Sequence, residues 1–183
     1  ATEALTTRTD RAQIDGALSR MALMKEMRRR LESHPEWPRQ ARQIEDAARR
    51  LAAPLGEFAT ALLQFAQSQE GIRPNAEYAQ RLRLDSGMRA QPRWSQLEME
   101  WDAVSKGLRS LLEQSRALID GLDRARWWAE DATALHLNEL RSHTDYLAEL
   151  TAAADRVIFR PVGADGETVT WLSIPSGNRG KEQ

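Results

Sequence analysis

Trp94, Leu97, Trp101, Val104, Leu108, Leu111, Ser115, Leu118 and Leu122 follow one another along the chain in steps of three and four. Side chains at that spacing share one face of an α-helix; a strand, whose successive residues point to opposite faces, cannot bring them together. The spacing predicts a helix over about 93–122 with a heptad-type buried seam. A second seam, Ala41, Ile44, Ala48, Leu51, Leu55, Phe58, Leu62 and Phe65, predicts a helix over about 39–68, with Pro38 suited to its first turn. Pro54 lies inside this run; it lacks a backbone donor and crowds the preceding turn, so a kink or break is expected there.

Two further helices are expected. Ile14, Leu18, Met21, Met24 and Leu31 form a rougher stripe over about 10–31, with Thr9 and Asp10 as capping residues and Pro35 and Pro38 as the stop. Leu137, Leu140, Leu147 and Leu150 supply the buried face of a helix over about 125–154. From Arg156 the period falls to two. Val157, Phe159 and Val162, a turn at Asp165 and Gly166, and the β-branched and aromatic run from Thr168 to Ile174 read as a β-hairpin over about 156–174. An isolated hairpin is marginal in water, so it must pack on the helices or join a sheet elsewhere. Between Gly71 and Pro92 the pattern lapses, although Arg81, Leu82, Arg83 and Leu84 alternate as a short extended segment would. The expected fold is one mainly α domain over 1–183, an elongated antiparallel bundle of about four long helices with a C-terminal β-hairpin. The heptads are also compatible with a coiled-coil dimer, but several long helices with short connections can bury one another's seams within one chain.

Composition narrows the function. Hydrophobic residues at 41% and charged residues at 29% supply enough apolar surface to fold. No apolar run is long enough to span a bilayer, and the first twenty residues resemble no signal peptide. The absence of cysteine rules out disulfides, thiolate metal sites and cysteine nucleophiles within the chain. A net charge of −1 argues against a binder recognised by strong positive charge alone. The charge is nevertheless uneven: the chain is net basic up to Arg93 and net acidic beyond it, and its cations are arginines except for Lys25, Lys106 and Lys181. The missing initiator Met at Ala1 and the polar end from Ser176 to Gln183 lead to the expectation that the chain is a piece of a longer protein.

Catalytic patterns are lacking. The run from Ser176 to Lys181 has the wrong glycine spacing for a phosphate loop, and Glu182 stands where a magnesium-binding hydroxyl is needed. His136, Glu139 and His143 share a helix face, but the two imidazoles are about 10 Å apart along the axis, too far to hold one ion easily. The adjacent carboxylates Glu45 and Asp46, and Glu130 and Asp131, diverge around their helices and read as solvated faces near Arg49, Arg50, Arg126 and Arg141. Of the six tryptophans, Trp94 and Trp101 belong to the seam, whereas Trp127 and Trp128 cannot both face one core. The best nucleic-acid candidate is the irregular segment carrying Arg73, Arg81, Arg83, Arg89 and Arg93, opposed only by Glu77 and Asp85; arginines on an exposed connection can track a phosphate backbone.

Several segments resemble one family. The opening Ala1 to Leu5 is similar to the stretch just after the DEAH box of DinG/XPD-like superfamily 2 DNA helicases. Arg81-Leu82-Arg83-Leu84 followed by Trp94, and the strand from Thr168 to Ile174, resemble parts of the long insertion, the arch domain, of the bacterial members. The resemblance implies a non-catalytic helical arch beside the motor domains of a cytoplasmic ATP-dependent helicase, helping to enclose single-stranded DNA and possessing no cofactor of its own. ATP and magnesium would belong to the parent's motor domains, and the family's Walker loop, DEAH residues and cluster cysteines have no counterpart here. Arg81, Arg83, Arg89 and Arg93 are the expected DNA contacts. The alternative is a helical protein-interaction or scaffold domain of another multidomain protein.

Overall fold

A computed structural model describes residues 16–20, 37–73, 78–125, 131–159 and 170–174. The elements are α1 (Trp37–Gln67), β1 (Gln80–Leu84), α2 (Ser86–Arg89), α3 (Pro92–Arg124), α4 (Asp131–Phe159) and β2 (Thr170–Ile174). Residues 16–20 are also helical, with Ala17 and Leu18 buried. The rest of the helix expected over 10–31 lies outside the described residues, as do Trp127 and Trp128. The described chain is mainly α with one two-stranded antiparallel sheet.

The three long helices, of 31, 33 and 29 residues, extend for about 43–50 Å. Central among them is α3, which packs against both α1 and α4. All nine positions of its seam are buried, together with Ser105, Leu112 and Ile119. This wider stripe is what a helix with two neighbours requires. Phe58 meets Trp101 with ring centroids 5.0 Å apart and Phe65 meets Trp94 at 5.3 Å, so numbers rise along α1 as they fall along α3 and the pair is antiparallel. The same holds for α3 and α4: Trp101 Nε1 donates to Asp155 Oδ1 at 2.8 Å, while Asp123, near the other end of α3, is ion-paired with Arg141. At Gly107 the helices come especially close, since a Cβ there would lie 2.6 Å from Leu51 Cδ2. The missing side chain lets Leu51 rest on the α3 backbone.

In α4 the expected leucines are buried, and Thr144 and Thr151 fill two of the intervening core positions. Their hydroxyls donate to the carbonyls of Leu140 and Leu147, each at 2.7 Å, so neither is left unsatisfied inside. Ser115 does the same in α3, donating to Leu111 O at 2.8 Å. Helix ends follow local chemistry. Pro92 opens α3 where no backbone donor is needed, Asp85 caps α2 by accepting from Met88 N, and Gly71 supplies a φ of 85° in the turn after α1.

One expectation is narrowed and one corrected. Of the kink or break expected at Pro54, the break does not occur, because α1 is continuous through it. Pro54 and Arg50 are both exposed, so the Arg50 carbonyl that loses its helical donor lies on the solvent side. The local hairpin over 156–174 is not the pairing that forms. Residues 156–159 complete α4, burying Ile158 in the core, and Thr170–Ile174 instead pairs antiparallel with Gln80–Leu84. Core packing of Ile158 outweighs the β-like alternation of Val157 and Phe159. The strand thus finds its partner in the segment whose arginines and leucines alternate.

Candidate nucleic-acid interface

The sheet is assembled from its pleat. In β1, Leu82 and Leu84 are buried while Arg81 and Arg83 are exposed; in β2, Ile174 is buried and Leu172 half-buried while Trp171 and Ser173 are exposed. The register sets Arg81 opposite Ser173 and Arg83 opposite Trp171. One face therefore carries the aliphatic residues into the core, and the other presents two arginines, an indole and a hydroxyl to solvent. Burial of the aliphatic face, with β2 packed on α1, gives this two-stranded sheet the support it would lack in water.

The entry to β1 is pinned by side-chain mimicry of a backbone pair. Gln80 Oε1 accepts from Arg73 N at 2.8 Å, and Gln80 Nε2 donates to Arg73 O at 2.7 Å. A second amide pair, Gln69 with Gln91 at 3.1 and 3.4 Å, ties the end of α1 to the start of α3. Both ends of the connection that carries β1 are thereby held.

The four arginines singled out by sequence are not one group. Among the described residues Arg81, Arg83 and Arg93 are exposed and make no ion pair; Arg93 sits in the first turn of α3. Arg89 is turned inward. Its Nη1 donates to Ile158 O at 3.1 Å, and its guanidinium lies 5.0 Å from the Trp94 ring centroid. It thus closes a terminal carbonyl of α4 and stacks on a core aromatic. Burial lowers its pKa, with Glu98 opposing. Arg89 is therefore committed to internal contacts.

The other candidates separate in the same way. Glu45 is buried rather than solvated, beside Ile44 on the seam and ion-paired with Arg49, while Asp46 is exposed. Arg141 pairs with Asp123 rather than with a carboxylate of its own helix. The open depression lined by Asp120, Asp123 and Arg124 includes that already paired carboxylate. Among the described residues no three His, Asp or Glu side chains converge as a metal-binding group. His136 Nδ1 lies 3.4 Å from Glu139 Oε2, and His143 is half-buried near Arg20.

His143 gives a pH prediction. Its pKa is held below the ordinary 6.5, first by burial and then by the charge of Arg20, with Glu139 opposing. The unfolded chain therefore binds this proton at higher pH than the folded chain. The stability tied to neutral His143 is complete above about pH 6.5 and is lost as pH falls toward the lower folded value. Melting temperatures between about pH 7.5 and about pH 5 should fall less steeply for His143→Gln than for the unaltered chain. Equal slopes would show that His143 does not set this pH dependence.

Sequence reasoning missed Trp171, which is 54% exposed, whereas Trp37, Trp94 and Trp101 are all buried. The signal was present: with Leu172 and Ile174 turned inward, strand alternation turns Trp171 outward. The described residues thus define a class of module by its architecture, a long antiparallel helical bundle bearing a basic and aromatic sheet face. Compared with protein-family models, with curated proteins and with solved structures, the chain has no significant match.

Proposed function

We propose that the chain is the arch module of a DinG/XPD-like, ATP-dependent DNA helicase, whose long helices wall a passage for single-stranded DNA while the motor domains supply force. The observation that carries this reading is the solvent-facing pair Arg81 and Arg83 on a sheet anchored to the bundle, free of competing ion pairs among the described residues. Arginine presents a planar fork of donors that suits phosphate oxygens. Arg93 joins them as a third exposed cation, and Arg89 is left out because its guanidinium is engaged internally. ATP and magnesium belong to the motor domains in cis, and the setting is cytoplasmic. Among the described residues no helix is long and apolar enough to cross a membrane.

The test is binding of a labelled oligothymidylate across a salt series. Replacing Arg81 and Arg83 by Ala should weaken binding and flatten the plot of log affinity against log salt by about 0.7 for each phosphate no longer neutralised. An unchanged slope rejects the assignment. The second reading, a protein-interaction domain of another multidomain protein, is favoured by the exposed Met99 on α3 and Leu135 on α4. A DEAH box upstream and helicase motifs downstream in the parent reading frame decide between the two.

A further inference from the structure

We propose that Trp171 is a base-stacking platform, so that the sheet face grips single-stranded nucleic acid by its bases as well as by its phosphates. This rests on the reading of Arg81 and Arg83 as phosphate contacts. Large aromatic side chains normally bury, and the other three tryptophans with described side chains do so to within 8% exposure. Trp171 cannot follow them inward: Leu172 and Ile174 occupy the core face of the same strand, so the pleat holds the indole outward. A half-exposed indole in a paired strand is held by backbone on both sides, which limits the freedom it would lose on stacking.

Its surroundings select the partner. Directly across the sheet stands Arg83, with Arg81 two residues along the same face, and the described strand residues of that face include no carboxylate, Asp85 following the end of β1 as the cap of α2. Among the described residues the cation–π pair is Arg89 with Trp94, so Arg83 does not cover the Trp171 ring. Two unpaired cations favour an anionic ligand, and an open aromatic ring favours one with planar groups. Single-stranded nucleic acid offers both, whereas a duplex keeps its base faces stacked inside. Among the described residues of the two strands Ser173 is the one other polar side chain on this face, too little to read base edges, so sequence preference should be weak.

The test compares the full chain with Trp171→Ala, Trp171→Phe and the double variant Arg81→Ala with Arg83→Ala. Each is titrated against labelled oligothymidylate and against an abasic strand of equal length. Trp171→Ala should weaken oligothymidylate binding roughly ten-fold, leave the abasic strand unaffected and keep the salt slope. Trp171→Phe should retain most of the affinity, and the arginine variant should weaken both strands and flatten the slope. If Trp171→Ala binds oligothymidylate like the unaltered chain while the arginine variant is weakened, stacking is wrong and the phosphate reading survives. If neither variant changes binding, both fail. Equal losses on the two strands would show that Trp171 acts through the fold, and polyglutamate competing as well as oligothymidylate would show an acidic protein partner. Either result overturns the proposal.

Discussion

Trp94→Ala should lower the unfolding free energy by about 3–5 kcal/mol, read from denaturant midpoints at constant m-value. That is a large share of the roughly 5–15 kcal/mol typical of a whole domain. Trp94 is fully buried where α1 gives way to α3, with Phe65 packed edge-on and the Arg89 guanidinium over its ring. Truncation opens a cavity between the helices and removes the surface on which Arg89 lies as it reaches Ile158 O. Two costs therefore add, a packing loss and a half-buried cation without its stacking partner. Trp94→Phe separates them from the indole N–H. Among the described residues that buried donor has no acceptor, so its removal recovers a desolvation penalty while an aromatic ring is kept. The Phe variant should cost markedly less than Ala. Equal costs would mean that the ring contacts with Phe65 and Arg89 contribute little.

Leu84→Asp should detach the sheet from the helices without dissolving the bundle. Leu84 is 2% exposed and pairs with Thr170 in the strand register. A carboxylate at that position must either remain buried without a partner, at a cost of several kcal/mol, or carry the strand out to water. A two-stranded sheet has little stability of its own, so the second course is the easier one. Amide exchange should show protection lost over Gln80–Leu84 and Thr170–Ile174 and retained in α1, α3 and α4. Affinity for oligothymidylate should fall at least as far as in the Arg81 and Arg83 variant, because detachment disperses the whole face at once. Persisting protection in the strands would show that inward leucine burial is not what holds them.

Helical periodicity was legible because it is local. The nine-position seam of α3 is buried throughout, and that of α1 is buried from Ala41 to Phe65 except for Leu62, which is half-buried. In α4 the same stripe was partly hidden, since Thr144 and Thr151 occupy core positions and become acceptable inside only through their bonds to the preceding turn. Arg81 and Arg83 were recognisable as exposed cations because Leu82 and Leu84 alternate with them. Glu45 was misread because its burial depends on packing beside Ile44 and on Arg49 one turn away. Arg89 carries the same composition signal as Arg81, yet a carbonyl at the end of α4 claims it.

The amino-acid order by itself determined the helices α1 and α3 and most of α4, which face of each is apolar, and that residues 170–174 and 81–84 favour extended backbone. These follow from residue spacing and propensity, which act over a few neighbouring residues. Only the tertiary structure decided that the two extended segments pair with each other, that α4 continues through Phe159, and that Trp171 stands beside Arg83 on an open face. Such outcomes depend on which elements meet once α3 has gathered α1 and α4 around it, and no local pattern encodes a partner so distant in the chain.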